Sequence, residues 1–169
     1  MRRWILALAA LAVVGAVILP SLLRARMSPG ETPWIGDTRT VISAQTAYQS
    51  ANKGFYEGRL WCLSRPSDCI PGYASTDPAF LDPGLTALGT RVGYVRTFHA
   101  GPAVPAEEIQ AGRASPTSVS CYAYMSTPAT PRAGLRSFCG DCTGVVCSTE
   151  GGLLPQVMNG QCKGCQPLR

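Results

Sequence analysis

TPWIGDTRTVISAQTAYQSANKG, residues 32–54, is the stretch on which the fold is decided. Trp34, Val41, Ala44, Tyr48 and Ala51 recur at helical spacing along one face. Thr32 is a capping residue type, Pro33 suits the first helical position, and Gly54 is placed to end the helix. The pattern predicts a helix over 33–52, roughly 30 Å long at about 1.5 Å per residue. Arg39, Ser43, Gln45 and Gln49 make its polar face, expected to meet solvent or a neighbouring subunit.

Upstream, Pro29 and Gly30 interrupt any helix, so residues 27–32 are read as a break. Before it, Trp4 to Leu23 is a charge-free run of 20 residues, interrupted only by Pro20 and Ser21. About 20 apolar residues span a hydrocarbon core roughly 30 Å thick. A cleaved secretory signal has a shorter apolar region followed by an A-x-A-like site. Here the run continues through Ile18, Leu19, Leu22 and Leu23, so a retained transmembrane anchor over 1–26 is the expectation. Arg2, Arg3, Arg24 and Arg26 flank it on both sides and do not orient it.

Downstream, the chain is rich in turn formers, with 18 glycines and 14 prolines among 169 residues, which predicts short strands and many loops. Residues 55–92 hold no long periodic run and read as a loop region. Phe80-Leu81 and Leu85 to Leu88 are expected to form a turn of helix that packs on the first. From residue 93 the period becomes two: Tyr94, Arg96 and Phe98 alternate with Val95 and Thr97. Residues 118–124, 135–139 and 145–147 alternate again, with Pro- and Gly-containing segments between them. This is the pattern of a small antiparallel sheet over about 93–149. The predicted fold is α+β: a helix packed on that sheet, a head spanning 33–169, and a cysteine-tied tail over 150–169.

All eight cysteines follow the apolar run: Cys62, Cys69, Cys121, Cys139, Cys142, Cys147, Cys162 and Cys165. An even count beyond an export-type segment reads as a disulfide framework and puts the head on the oxidising side of the membrane. Cys62 and Cys69 flank one short polar loop and are expected to pair. Cys121 and Cys139 lie equally far from Thr130, so a hairpin centred there would set them opposite each other, within reach of a bridge. Cys142 and Cys147 would then tie the tail through Cys162 and Cys165, in an order left open. The competing reading is a zinc ribbon built from Cys139, Cys142, Cys162 and Cys165, whose two C-x-x-C pairs are separated by 19 residues. Export and the four further cysteines favour disulfides, and no metal or cofactor is expected.

Other chemistry is sparse. His99 is the only histidine, no acid is near it in sequence, and its setting reads as a strand end. Asp141 reads as a turn residue bonding local backbone N–H groups. No loop has the alternating carboxylates of an EF-hand. The net charge of +5 is spread out, without the basic patch and interleaved aromatics of a nucleic-acid binder. A non-enzymatic protein is expected.

The stretch from Ala16 to Arg26, AVILPSLLRAR, resembles the A-I-A-I-P-N-L-L-R-A-R segment of the type IV pilin and type II secretion pseudopilin family. Ile35 to Val41, with Ala44-Gln45 and Tyr48-Gln49, is similar to the start of that family's solvent-side helix. Tyr122-Ala123-Tyr124 and Phe138 to Asp141, followed by Thr143-Gly144, are similar to its sheet hairpin. The resemblance implies a structural subunit of a filament or tip in a bacterial secretion or pilus system. It implies a single-pass protein of the inner membrane with its head in the periplasm or at the cell surface. Its partners would be other pilin or pseudopilin subunits and the assembly machinery. Leu8, Leu11 and Val14 form the stripe expected to bundle with neighbouring helices, and Pro20 permits bending. The family's leader ending in glycine and its early helix glutamate are not matched near Arg2 and Arg3. A second expectation therefore stands beside the first: a non-assembling, membrane-tethered binding module with a pilin-like head.

Overall fold

A computed structural model describes residues 31–168. The anchor expected over 1–26 and its stripe at Leu8, Leu11, Val14 and Pro20 lie outside the described residues. Among the described residues no helix is long and apolar enough to cross a membrane.

The predicted helix is present as α1, Thr32–Ala51. Thr32 is its first residue and not its cap; Glu31 holds that position and makes no side-chain cap. Glu31 turns away instead, where Oε1 accepts the Leu135 N–H at 3.3 Å and Oε2 accepts Arg136 Nε–H at 2.7 Å. At the other end the Asn52 N–H closes on the Tyr48 carbonyl, and the Gly54 N–H, at positive φ, on Gln49. Trp34, Val41, Ala44 and Tyr48 are buried as the spacing predicts, whereas Ala51 is exposed. Gln45, assigned to the polar face, is fully buried. Thr38 is buried too, its hydroxyl donating to the Trp34 carbonyl of its own helix.

The region expected as loop contributes β1, Tyr56–Glu57, two 3-10 turns at Leu60–Leu63 and Pro66–Asp68, and the short helix α2, Pro83–Thr86. Asp82 caps α2 by accepting the Gly84 N–H. Phe80, Leu81 and Leu85 pack toward Val41, Tyr48, Leu60, Leu63, Tyr122 and Tyr124, the main core under α1.

Strands β2, Gly89–Arg91, and β3, Tyr94–Ala100, form a hairpin. The short helix α3, Ala106–Gln110, follows. The run expected over 118–124 divides: β4, Ser118–Val119, pairs with β1, and β5, Tyr122–Pro128, pairs with β3. β6, Ser137–Asp141, and β7, Val146–Thr149, continue the sheet. The tail adds a hairpin of β8, Gln156–Met158, and β9, Gln161–Lys163, then an edge strand β10, Gln166–Pro167. The main sheet is six-stranded and antiparallel, ordered β10-β7-β6-β5-β3-β2.

Register assigns the two faces. Tyr94, Arg96, Phe98, Tyr122, Tyr124, Ser126, Phe138 and Gly140 share the face under α1. At Gly140 helix and sheet approach closely: a Cβ there would stand 2.5 Å from Thr38 Cγ2 and 2.8 Å from Ile42 Cδ1. The opposite face presents Ala123, Met125, Cys139 and Cys147, and the tail covers it with Val157, Cys162 and Cys165. The result is three layers: helix, sheet and disulfide-held strap.

Candidate functional site

Four disulfides join the eight cysteines: Cys62–Cys69, Cys121–Cys142, Cys139–Cys162 and Cys147–Cys165. The first is the expected pair. The Cys121–Cys139 pairing is corrected. β5 and β6 align Ala123 with Asp141 and Met125 with Cys139, so their hairpin is centred near Arg132, two residues beyond Thr130. That shift brings Cys142 beside Cys121 and frees Cys139 for the tail. Cys139 and Cys147 are cross-strand neighbours on one face, and each takes one tail cysteine. The zinc-ribbon alternative is corrected as well, because its four sulfurs enter three different bridges. Among the described residues no group of three or more His, Cys, Asp or Glu side chains is placed to hold a metal ion.

Asp141 does more than close its own turn. Oδ1 accepts from the Thr143 N–H at 2.9 Å and its hydroxyl at 2.6 Å, while Oδ2 accepts the Cys162 N–H at 2.7 Å. It thus ties the strap to the sheet beside a disulfide. His99 is on the strap-side register of β3, with Nε2 3.2 Å from the Thr97 hydroxyl.

Two buried polar clusters went unread in the sequence. The first centres on Glu57 in β1, which is fully buried. Its backbone N–H and C=O are both held by the Gln45 side-chain amide, at 2.9 and 2.8 Å. The Glu57 carboxyl accepts the Arg59 N–H and the Thr117 hydroxyl. Hydroxyls continue the chain through Ser115 to Tyr48 and to Ser118, and Asn52 donates to Ser118 at 2.8 Å. Burial raises the Glu57 carboxyl above its usual range, opposed by the bonds it accepts, and burial also raises the Tyr48 phenol. The cluster holds hydroxyls and one carboxyl but no imidazole to activate them, since His99 is on the far face. What it does is join the end of α1 to β1 and β4.

The second cluster surrounds Arg96, buried on the helix side of β3. Its guanidinium donates to the carbonyls of Gly84, at 3.2 Å, and Ala87. Burial raises the Asp37 carboxyl, opposed by Arg91 and Arg96. Gln45 was legible: it is four residues after Val41 and three before Tyr48, on the buried stripe. Arg96 alternates with Tyr94 and Phe98 on an inward face, which is the corresponding signal in a strand.

Exposed aliphatic side chains gather at the end of the head where α1 begins. Glu31, Leu135 and Arg136 meet there, and Trp34 stacks on Tyr94 with ring centroids 4.8 Å apart. Burial, with the nearby Glu31 charge, pushes the Tyr94 phenol up to about 12. Around this seat, Val92 (85%), Leu135 (64%), Leu153 (69%) and Leu154 (66%) are exposed. Pro128, Pro131, Leu135, Gly152 and Leu154 line a groove of about 280 Å³. No family model, curated protein or solved structure matches this chain.

Proposed function

We propose that the protein is a membrane-held structural subunit, pilin-like in plan, of a bacterial type II secretion or type IV pilus system. One observation carries the reading. α1 starts at Thr32, soon after the charge-free run that ends at Leu23, and seats on an antiparallel sheet closed by four disulfides. On this reading the chain is an apolar rod joined to a disulfide-closed head. In a bilayer the rod's backbone groups satisfy one another. In a filament the same apolar surface bundles with its neighbours, at about 25 cal/mol per Å² of area removed from water. The head then faces outward and selects partners. The oxidised cysteines support a position in the periplasm or at the cell surface. No step of this function is catalytic.

The test replaces Leu8, Leu11 and Val14 with Asn in the full chain. A polar group in that apolar setting costs about 1–3 kcal/mol, so crosslinking between copies, or to pilin-type partners, should weaken while the head melts as before. Parent protein that forms no such crosslinks, or crosslinks unchanged by the substitutions, would leave the non-assembling binding module as the better description.

A further inference from the structure

We propose that the apolar end of the head, around Val92, Leu135, Leu153 and Leu154, rests on the lipid surface from which the N-terminal segment emerges. The inference deepens the membrane-anchor reading above and depends on it. The structure brings these side chains to one end from separate turns. Val92 is in the β2–β3 turn, whose Gly93 carbonyl accepts the Ala129 N–H. Leu135 belongs to the β5–β6 connection, and its carbonyl accepts the Gly152 N–H. Leu153 and Leu154 follow β7, with the Thr149 hydroxyl bonded to the Leu153 carbonyl. A cluster of exposed aliphatic side chains is atypical of a free surface and marks an interaction site.

The occupant is set by the chain that leads into this end. Glu31, the residue before α1, bonds Leu135 N–H and Arg136 directly, so the chain enters the head beside the exposed leucines. Only eight residues, Arg24 to Glu31, separate the apolar run from α1. Fully extended at roughly 3.3–3.6 Å per residue they reach about 28 Å, and less in any bent path. The apolar end is therefore the part of the head held nearest the bilayer. Its charge fits an anionic surface: Arg91 and Arg132 are exposed there, and Glu150 is an exposed acid on the rim. Exposed leucines flanked by arginines are the composition of an interfacial contact, apolar tips in the acyl boundary and cations among phosphates.

The experiment uses the full chain reconstituted in vesicles of phosphatidylethanolamine with a minority of phosphatidylglycerol. Val92, Leu135 and Leu154 are replaced one at a time by photoreactive benzoylphenylalanine. Val145, exposed in the β6–β7 turn at the opposite end of the sheet, serves as reference. Lipid adducts at the three positions should exceed those at Val145 by about tenfold, the ratio set by moving one leucine-sized side chain out of water. Three independent positions protect the test against one misfolded variant. If the chain survives carbonate washing but the three sites give no more lipid adduct than Val145, the proposal is overturned and the anchor stands. Adducts joining two copies of the chain at these positions overturn it in favour of a self-interface. A chain released by carbonate removes the anchor reading and this proposal together.

Discussion

Replacing Gln45 with Ala should destabilise the head more than any other single truncation on the polar positions of α1. The Gln45 amide accepts the Glu57 N–H at 2.9 Å and donates to the Glu57 carbonyl at 2.8 Å, so it stands in for a neighbouring strand. Both atoms of Glu57 are buried, and Ala offers neither a substitute. Each unpaired buried backbone group costs about 1–3 kcal/mol. Alanine returns only a few tenths through its better helix propensity. The net loss is about 2–5 kcal/mol, set against a total stability of about 5–15 kcal/mol. At roughly 3 °C per kcal/mol for a domain of this size, the midpoint falls by about 6–15 °C. The assay is thermal melting of the full chain in detergent, followed by near-ultraviolet circular dichroism with disulfides intact. Gln49→Ala, one turn further on and with its side chain donating to the Gly54 carbonyl at 3.2 Å, is the matched control and should change little. A Gln45→Ala midpoint indistinguishable from that of the control would refute the clamp.

The remaining predictions follow from the same packing. Glu57 has its folded-state pKa raised by burial, so the stability it allows is fully present below the ordinary glutamate range and is lost as pH rises through the folded value. Glu57→Gln should remove that decline, seen as a flatter curve of melting temperature against pH in the weakly acidic range. Gly140→Val should destabilise by about 1–3 kcal/mol, because the new side chain meets Thr38 and Ile42 of α1; urea denaturation measures it. Converting Cys147 and Cys165 together to Ala opens a loop of sequence separation 18. On the chain-entropy model this costs about 3 kcal/mol, and hydrogen exchange should rise first in β8, β9 and β10.

Much of the fold was legible because its signals are local. Pro33, the spacing of Trp34, Val41, Ala44 and Tyr48, and Gly54 act within a turn or two of where they stand, and α1 runs Thr32–Ala51. Alternation from Tyr94 onward likewise located β3. The pairing of Cys62 with Cys69 needed only proximity, whereas the pairing of Cys121 needed register. Placing the β5–β6 turn at Thr130 assumed arms of equal length. β5 instead runs on to Pro128, because it pairs with β3 as far as Tyr94, and the connection is lengthened on its far side by Ala133 and Gly134 packed against Gly93 and Tyr94. A two-residue displacement is invisible to alternation, since it leaves every side chain on its own face. Gln45 was assigned to the polar face, and Arg96 was given no buried role, for a different reason. Residue type says polar, but position on the stripe decides burial, and the groups they bond come from β1 and the Gly84–Ala87 backbone. The apolar end was equally out of reach, because Val92, Leu135 and Leu154 come from three separate turns and converge only in the folded sheet.

The central claim, a head on the oxidising side of a membrane held by its N-terminal segment, is tested most directly by one fractionation. Cells producing the full chain are treated intact with a membrane-impermeant maleimide, with or without a prior impermeant reductant, after outer-membrane permeabilisation. Their membranes are then washed in carbonate. The account predicts that the chain stays in the membrane pellet, takes no label before reduction, and takes label on its cysteines only after it. A chain recovered in the carbonate wash, or one whose cysteines are labelled without reduction, would contradict it.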